Sequence, residues 1–275
     1  MLTIIIPAYN EEKCIERTLS ELTNFSSLEV EVIVLPNGCM DNTAEFVRVK
    51  FPSFKVVELD TGSKILAINR GLEIAQFEHV LVQDADVIIS TESIRSILKF
   101  IESEQYLFAS PNTKIVQDGS FLTNMYYSFL KLTPAYRVGM VNSGAYLISP
   151  QARDILGTFP QVIADDGYVK GALGSANLTT IPSCYSVVMS PRTIWSLIKI
   201  KTRSKLGNME LKKKFTSPTT GGNSFSSLFK IAIKEKALFQ FLIYATVISI
   251  ATFRARLQIK KLKTIKWERD ESTRI

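Results

Sequence analysis

The chain has 275 residues, of which 46% are hydrophobic and 21% charged, which is typical of a folded domain and excludes a disordered chain. Its three cysteines are widely spaced and it has a single histidine, so the sequence argues against a disulfide framework, a zinc site and a multi-histidine metal centre. We expect reduced cysteines in a cytosolic protein. The short apolar run at the N-terminus follows no basic region, so it predicts a buried strand rather than a signal peptide.

Charge is distributed unevenly along the chain. The net charge is +7, but residues 1–191 hold 14 basic and 21 acidic residues, whereas residues 192–275 hold 19 basic and 5 acidic residues. This asymmetry indicates that the last third of the chain faces something anionic. A membrane surface, a diphosphate and a nucleic acid all have the required charge.

The first hundred residues alternate between strand and helix patterns. Continuous apolar runs predict buried strands over residues 3–7, 30–35, 55–59 and 80–82. Apolar residues at helical spacing predict a helix soon after Asn10 and further helices over residues 43–49, 64–75 and 92–103. Asn10 is the expected N-cap of the first helix, with Glu11 and Glu12 in its first turn.

This β-α order predicts an α/β fold with a Rossmann-like, mostly parallel central sheet. Ligands of such sheets gather beyond the carboxyl ends of the strands. Polar segments follow the four predicted strands: Pro7-Ala8-Tyr9-Asn10, Pro36-Asn37-Gly38, Thr61-Gly62-Ser63-Lys64 and Asp84-Ala85-Asp86. The glycine patterns of the two commonest nucleotide-binding loops are absent from the sequence.

The pattern is less regular after residue 105. Strands are predicted over residues 146–148, 177–181 and 186–189, and a helix is predicted to begin near Asp165.

The last third of the chain is predicted to be organised differently. Residues 237–253 are the most apolar stretch and have basic flanks, which suits a helix that lies in a membrane interface or spans a membrane. A core helix of the folded protein is the alternative interpretation. We therefore divide the chain into a domain over residues 1–205, a linker or mobile loop over residues 206–224, and a basic, apolar helical region over residues 225–275.

Asp84 and Asp86 directly follow the fourth predicted strand. Residues i and i+2 of an extended segment point to the same side, so the two carboxylates can bind a hard divalent cation and leave room for phosphate oxygens. An Asp-rich turn that caps a helix has the same sequence. The position beside three other polar strand ends favours the metal and diphosphate site.

Asp165 and Asp166 form a second acidic pair. Adjacent carboxylates repel each other, which can raise the pKa of one of them towards a value useful in a general base. A charged helix N-terminus is the alternative interpretation.

A third cluster combines cations with an aromatic ring. Its members are Arg192, Trp195, Lys199, Lys201, Arg203 and Lys205. Cations stabilise a departing diphosphate, and the face of a Trp suits the apolar face of a sugar. A basic amphipathic helix on a membrane surface has the same pattern, and both interpretations can hold together.

Taken in order, these motifs resemble the GT-A-fold glycosyltransferases of family 2. The motifs are Pro7-Ala8-Tyr9-Asn10-Glu11-Glu12, Asn37-Gly38-x-x-Asp41-x-Thr43, Gly62-Ser63-Lys64 with Asn69-x-Gly71, Asp84-x-Asp86 and Asp165-Asp166. The resemblance covers residues 2–205. It implies a GT-A fold and the transfer of a sugar from a nucleoside diphosphate sugar to an acceptor hydroxyl.

The resemblance also implies which residues form the nucleobase pocket. Pro7, Ala8 and Tyr9 would line it, with Glu11 nearby. Asn37 stands where many members have an Asp that faces the base, a departure that leaves the identity of the nucleotide open.

Further roles concern the diphosphate and the acceptor. Lys64 would approach the nucleotide, Asp84 would contact the ribose or the metal-bound diphosphate, and Asp86 would bind Mn²⁺ or Mg²⁺. Asp166 matches the catalytic base of the family, with Asp165 as the alternative. The segment that holds Arg192 and Trp195 is similar only in part to the family's Gln-x-x-Arg-Trp motif.

The implied mechanism is a single in-line displacement with inversion, in which Asp166 removes the proton of the acceptor hydroxyl. The expected acceptor is a sugar or a lipid-linked saccharide at the inner face of the cell membrane, in the synthesis of a surface polysaccharide or glycolipid. Nucleotidyl transfer to a sugar phosphate and a non-catalytic, membrane-bound scaffold are the rival functions. Nucleic-acid binding is not expected, because the aromatic residues of the last third have apolar surroundings in the sequence.

Overall fold

A computed structural model describes residues 1–137, 143–215 and 224–259. The strands are β1 (Leu2–Ala8), β2 (Val30–Pro36), β3 (Lys55–Val56), β4 (Val80–Gln83), β5 (Ile88–Ile89), β6 (Phe108–Val116), β7 (Ala145–Ile148) and β8 (Leu178–Met189). The helices are α1 (Ile15–Ser20), α2 (Thr43–Lys50), α3 (Lys64–Ile74), α4 (Thr91–Ser103), α5 (Phe121–Leu130), α6 (Pro134–Arg137), α7 (Pro150–Leu156), α8 (Asp165–Leu173), α9 (Ile194–Lys214), α10 (Phe225–Lys234) and α11 (Leu238–Ile259).

The described strands form one sheet in the order β3-β2-β1-β4-β7-β6-β8-β5. Strands β3, β2, β1 and β4 are parallel, whereas β7 runs antiparallel to both β4 and β6. The predicted Rossmann-like, mostly parallel sheet is therefore confirmed. The two strands predicted over residues 177–181 and 186–189 belong to one longer strand, β8.

Helices cover the central strands on both faces, which explains why the β1 sequence is apolar at successive positions. Every residue of β1 is buried. Ile4 and Ile6 pack on the side of α1, α2 and α4, and Ile5 packs on the side of α3, α7 and α8. A strand covered on both faces loses the alternation of apolar and polar residues that marks a half-exposed strand.

The predicted N-cap at Asn10 is wrong. Helix α1 begins at Ile15, and Asn10 has a positive φ of 51° in the preceding loop. Its side-chain Oδ1 instead accepts a hydrogen bond from the backbone N–H of Met40, at 2.7 Å. A tertiary contact thus uses the acceptor that an N-cap would direct to its own helix.

The C-terminal helices pack onto the α/β body. Helix α11 contacts α9 and α5, and α10 contacts α11. The predicted linker over residues 206–224 differs from the structure in its first part, because α9 continues without a break to Lys214. Residues 216–223 of that linker and residues 260–275 of the C-terminal region lie outside the described residues.

Candidate active site

Two loops at the carboxyl ends of β1 and β2 are bonded to each other. The backbone N–H of Glu11 donates to Thr43 Oγ1 at 2.8 Å, and the N–H of Glu12 donates to Asp41 Oδ2 at 3.2 Å. In return, Glu12 Oε2 accepts from the N–H of Asn42 at 3.0 Å. The Asn37-to-Thr43 turn and the Tyr9-to-Glu12 loop therefore form one rigid rim of the sheet edge.

Most residues predicted to line the nucleobase pocket expose little side-chain surface. Pro7 and Ala8 are buried in β1, and Glu11 and Asn37 are 7% and 3% exposed. The Asn37 amide nitrogen donates to the carbonyl oxygens of Ala8 and Leu35, at 2.9 and 3.1 Å. Its amide therefore joins β1 to β2.

Tyr9 is the partly exposed member of that predicted pocket. Its ring lies beside Gly62, where an added Cβ would be 3.4 Å from Tyr9 Cε2. The ring therefore forms an accessible wall between the first and third strand ends.

Two hydrogen bonds fix the backbone of the segment Asp84-Ala85-Asp86. The N–H of Asp84 donates to the carbonyl of Gly144 at 2.8 Å, and Thr18 Oγ1 donates to the carbonyl of Ala85 at 2.8 Å. Ala85 is buried, whereas Asp84 and Asp86 are partly exposed. The extended conformation expected for this segment is wrong, because Ala85 and Asp86 lie in a turn that the N–H of Val87 closes by donating to the carbonyl of Asp84 at 3.1 Å.

Gly144 is required for the close approach of β7 to the Asp84 segment. It has a positive φ of 58°, and an added Cβ would lie 2.4 Å from Val87 Cγ2 and 3.3 Å from Asp84 Oδ2. A side chain here would press on the candidate metal ligand, so the approach depends on glycine.

Lys64 joins the two acidic pairs. Its Nζ lies 2.6 Å from Asp84 Oδ1 and 3.0 Å from Asp165 Oδ1, although the two carboxylates come from distant parts of the chain. Burial alone lowers the pKa of Lys64, but the charges of Asp165 and Asp84 outweigh it and hold the pKa above its ordinary value. Lys64 is therefore a permanent cation at neutral pH, placed at the N-terminus of α3.

Tyr146 fixes the other oxygen of Asp165. Its hydroxyl donates to Asp165 Oδ2 at 3.0 Å, and both residues are buried. Burial raises the pKa of the Tyr146 hydroxyl well above its ordinary value, and the negative charge of Asp165 raises it further, so the group stays a donor. Each carboxylate oxygen of Asp165 thus has a donor, Lys64 or Tyr146, which is the arrangement of an anchored residue.

Asp166 differs from Asp165 although the two are adjacent. It is exposed, and its Oδ1 accepts from the N–H of Gly167 at 2.7 Å. Burial among the surrounding protein atoms raises the pKa of Asp166 to about 6, and the negative charge of Asp165 contributes. The positive charge of Lys64 and the hydrogen bond from Gly167 oppose this rise in the pKa of Asp166.

Helix α9 supports the start of α8, a role that the sequence did not reveal. Glu210 Oε2 accepts from the N–H of Ile163 at 2.8 Å, and Lys214 Nζ donates to the carbonyl of Gln161 at 2.7 Å. A Cβ added at Gly207 would lie 2.9 Å from the Cβ of Ala164, the residue before Asp165. Only the tertiary packing of α9 identifies these residues as part of the site's support.

The third predicted cluster is associated with the C-terminal helices. The guanidinium of Arg254 in α11 lies 4.7 Å from the ring centroid of Trp195, whose side chain is 50% exposed. Arg192 is exposed in the turn before α9, and its carbonyl accepts from the N–H of Ser120. Lys201 is buried over the ring of Tyr126. Trp195 and Lys201 thus contact side chains of α11 and α5, and Arg192 bonds to the residue before α5. The role of Arg192 and Trp195 in nucleotide-sugar binding stays a prediction.

The charge of the site suits a divalent cation. Burial raises the pKa of the Asp84 carboxyl; Lys64 opposes the rise, while Asp165 and Asp86 add to it. Four carboxylates therefore share the region with the ammonium of Lys64, and their mutual repulsion is what a bound cation relieves. Across the described ranges, no group of three or more His, Cys, Asp or Glu side chains has the geometry of a metal site. The carboxylates of Asp84 and Asp86 are a partial ligand set of the hard oxygen type that Mn²⁺ and Mg²⁺ accept.

The fold and the acidic cluster at the strand ends are those of a GT-A glycosyltransferase. The chain belongs to glycosyl transferase family 2, whose profile matches residues 3–153. The match contains Lys64, Asp84 and Asp86 and ends before Asp165, so the second acidic pair is connected to the site by the contacts described above.

Relatives and solved structures resemble different parts of the chain. Poly-beta-1,6-N-acetyl-D-glucosamine synthase of Staphylococcus epidermidis is 33% identical over 95 residues, which are 34% of this chain and 23% of the relative. The synthase of Staphylococcus aureus has the same identity over the same length. The chain thus spans about a quarter of the length of these relatives.

Two solved structures have a similar fold. The mannosyltransferase PcManGT from Pyrobaculum calidifontis, in complex with GDP-Man and Mn²⁺, has a TM-score of 0.58 and 18% identity, covering 95% of this chain and 79% of the other. TarS 1–349 of S. aureus in complex with UDP has a TM-score of 0.54 and 17% identity, covering 98% and 94%. At these identities, the likeness concerns the fold, which confirms the predicted GT-A architecture.

Proposed function

We propose that the protein is a metal-dependent, inverting glycosyltransferase that moves a sugar from a nucleoside diphosphate sugar to an acceptor hydroxyl. The observation that carries this function is the cluster of Asp84, Lys64 and Asp165, with Asp166 beside it, at the carboxyl ends of the parallel strands. One acidic pair follows a parallel strand at the edge of the sheet where ligands of this sheet type bind, and the other includes the exposed carboxylate of Asp166.

Asp166 is the proposed general base. With Oδ1 held by the N–H of Gly167, its other oxygen receives the proton of the acceptor hydroxyl. Asp165 is anchored by Lys64 and Tyr146, so it orients the start of α8 and is not the base. The two adjacent acids thereby divide into a reactive residue and a positioning residue.

Asp86 and Asp84 are the residues proposed to hold Mn²⁺ or Mg²⁺. A divalent cation supplies Lewis-acid stabilisation of the diphosphate leaving group. The ammonium of Lys64, which stays protonated beside Asp84, adds positive charge where negative charge develops on the leaving group. Tyr9 offers the accessible ring for the nucleobase, while Pro7, Ala8, Glu11 and Asn37 shape the rim behind it.

The relatives named above support a role in building a polysaccharide, with a saccharide or lipid-linked saccharide as the acceptor. The solved structures bind UDP or GDP-Man, and the uncharged Asn37 leaves both nucleobases as candidates. A location at the inner face of the cell membrane is part of the proposal. It is supported by α11, the one helix among the described residues that is long and apolar enough to cross a membrane.

The test is a screen of UDP- and GDP-sugars for release of the nucleoside diphosphate in the presence of Mn²⁺ or Mg²⁺. The expected active donor also raises the melting temperature of the protein in a metal-dependent way. Asp86→Ala should remove the metal-dependent part of this stabilisation, and Asp166→Asn should retain it while losing transfer, because the base does not bind the donor.

Full transfer rates in folded Asp86→Ala and Asp166→Asn would contradict the proposed roles. Release of pyrophosphate instead of a nucleoside diphosphate would show nucleotidyl transfer and overturn the proposed reaction.

A further inference from the structure

Helix α11 has one face packed on the protein and an apolar face that is exposed. Its buried residues Phe241, Val247, Ala251 and Ala255 extend over most of its 22 residues. The exposed apolar side chains of α11 are Leu238, Phe239, Leu242, Ile250, Phe253 and Leu257. Their spacing follows the turns of the helix, so they form a stripe along its length.

The packing fixes α11 lengthwise against the body of the protein. The rings of Phe241 and Phe129 are 5.4 Å apart near the start of α11, and Tyr244 stacks on Tyr126 at 5.1 Å. Near its end, Arg254 lies over the ring of Trp195. These contacts with α5 and α9 hold the first and the last turns of α11 on the same body.

This arrangement argues against a bilayer-spanning α11. A single spanning helix is surrounded by hydrocarbon over about 20 residues. Here α9 lies beside α11 and carries the charged residues Lys201, Arg203 and Glu210, which would be drawn into the hydrocarbon with it at a high cost in free energy. Only 22% of the most apolar 18-residue stretch of α11 is buried in the protein. The exposed stripe therefore still needs a partner.

Two neighbouring elements extend the apolar surface. Phe225, Phe229 and Ile233 are exposed at intervals of four residues on α10. At the start of α5, Phe121 is 65% exposed, and its ring lies 6.1 Å from that of Phe239. We call the exposed residues of α10 and α11, together with Phe121, the α10–α11 face.

The charge around the α10–α11 face is positive. Residues 224–259 contain five basic residues and the single acid Glu235. Lys230 and Lys234 are exposed, and each directly follows an exposed apolar residue of α10. Aromatic and aliphatic side chains beside exposed cations are the composition of a helix that lies in the interface of an anionic membrane.

We propose that the α10–α11 face docks on an anionic lipid bilayer with α11 lying in the plane of the interface, so that the protein is peripheral and does not span the membrane. This rests on the membrane location in the proposed function. Vesicle binding is measured separately from sugar transfer, so a failure of one leaves the other standing.

The test is co-sedimentation of the full chain with phosphatidylcholine vesicles, with and without phosphatidylglycerol. We expect binding to the anionic vesicles that weakens in about 0.5 M NaCl, because salt screens the cations. Replacing two exposed rings, Phe239→Ser with Phe253→Ser, should lower the partition coefficient about tenfold or more, because the apolar groups no longer enter the lipid. Lys230→Glu with Lys234→Glu should lower it on anionic vesicles only.

The matched controls are Val49→Ser and Ile155→Ser, which replace exposed apolar residues on α2 and α7 and should leave binding unchanged. Melting curves of all variants exclude unfolding as the cause of lost binding. Membrane-bound protein should be released by alkaline carbonate.

Three results would overturn the proposal. One is resistance to carbonate, which indicates a spanning helix. The second is a folded wild-type chain that binds neither kind of vesicle. The third is a dimer in gel filtration that dissociates on Phe239→Ser while the chain shows no lipid binding, which would assign the face to a second copy.

Discussion

At the scale of single residues, the hydroxyl of Tyr146 gives the sharpest prediction. Tyr146→Phe removes the donor to Asp165 Oδ2 and keeps the ring that packs in the core. A hydrogen bond to a carboxylate contributes about 1.5–3 kcal/mol, so we expect kcat to fall about tenfold or more. The KM for the donor should change little, because Lys64 and Asp84 keep their contact.

The control for Tyr146 is Tyr168→Phe, which removes a hydroxyl that donates to the carbonyl of Leu156, away from the acidic cluster. Steady-state kinetics of both variants separates positioning from stability. Equal losses of kcat in the two variants would mean that Tyr146 acts only through the fold.

The raised pKa of Asp166 predicts the pH dependence of the reaction. A general base acts in its deprotonated form, and the Asp166 carboxyl has a pKa raised to about 6, chiefly by burial. Protonation on the acid side of that value removes the base, so the rate should rise with pH through about pH 6 and reach a plateau above it. Measuring kcat/KM of the folded protein over roughly pH 4.5 to 8 checks this pH dependence.

Asp166→Glu keeps a carboxylate base at the same place. The rate of this variant should be lower, but it should still rise with pH. A wild-type profile that is flat across this range would exclude Asp166 as the base that limits the reaction.

The sequence predicted the acidic residues of the site but not the groups that position them. Asp84 and Asp86 follow a strand, and Lys64 begins a helix at the same sheet edge, so their proximity follows from the β-α order alone. Tyr146 could not be recognised, because its role depends on β7 pairing antiparallel to β4. The contribution of each residue to nucleotide binding stays a prediction.

At the scale of elements, the contact between α8 and α9 sets the position of Asp166. A Cβ at Gly207 would lie 2.9 Å from Ala164 Cβ and 3.2 Å from its backbone nitrogen. Gly207→Ala must therefore push the start of α8 away from α9. A shift of about 1 Å in a catalytic group can lower kcat about a hundredfold, so we expect a large loss of kcat with a smaller effect on donor binding.

Gly171→Ala on α8 is the matched control, because an added Cβ there meets nothing within 4 Å. It should leave the rate unchanged and slightly raise the melting temperature, since Ala favours a helix more than Gly does. If both variants kept the wild-type rate, the position of α8 would not depend on this close approach.

Local patterns predicted the helices well where the helices bury one face. Helix α3 extends from Lys64 to Ile74 and α4 from Thr91 to Ser103, close to the ranges predicted from spacing. The failures have tertiary causes. Asn10 was expected to cap α1, but it bonds to the neighbouring loop. Helix α9 continues to Lys214, through the first part of the predicted linker, because Leu206 and Leu211 pack in the interior.

At the scale of the whole molecule, the parallel arrangement of the first four strands could be predicted, whereas the second half of the sheet could not. The antiparallel insertion of β7 between β4 and β6 brings residues 143–148 to the acidic cluster. Long-range pairing of this kind leaves no local signal in the sequence. The division of the chain at residue 225 was predicted from composition. Composition does not indicate which elements the C-terminal helices pack against.

That packing predicts the result of truncation. A chain that ends at residue 223 lacks α10 and α11 and exposes the rings of Phe129 and Tyr126, which are 0% and 1% exposed in the full structure. Newly exposed apolar surface weakens the fold and promotes association. We expect the melting temperature to fall by about 10 °C or more, with aggregation in the absence of detergent.

A chain that ends at Ile259 keeps α10 and α11, which makes it the control for shortening as such. Thermal unfolding and light scattering distinguish the two truncations. If the chain ending at residue 223 were as stable and as monomeric as the full protein, α10 and α11 would be an independent appendage. If it loses stability as expected, the same helices that offer the α10–α11 face also complete the core beside α5 and α9, because each has a buried and an exposed apolar face.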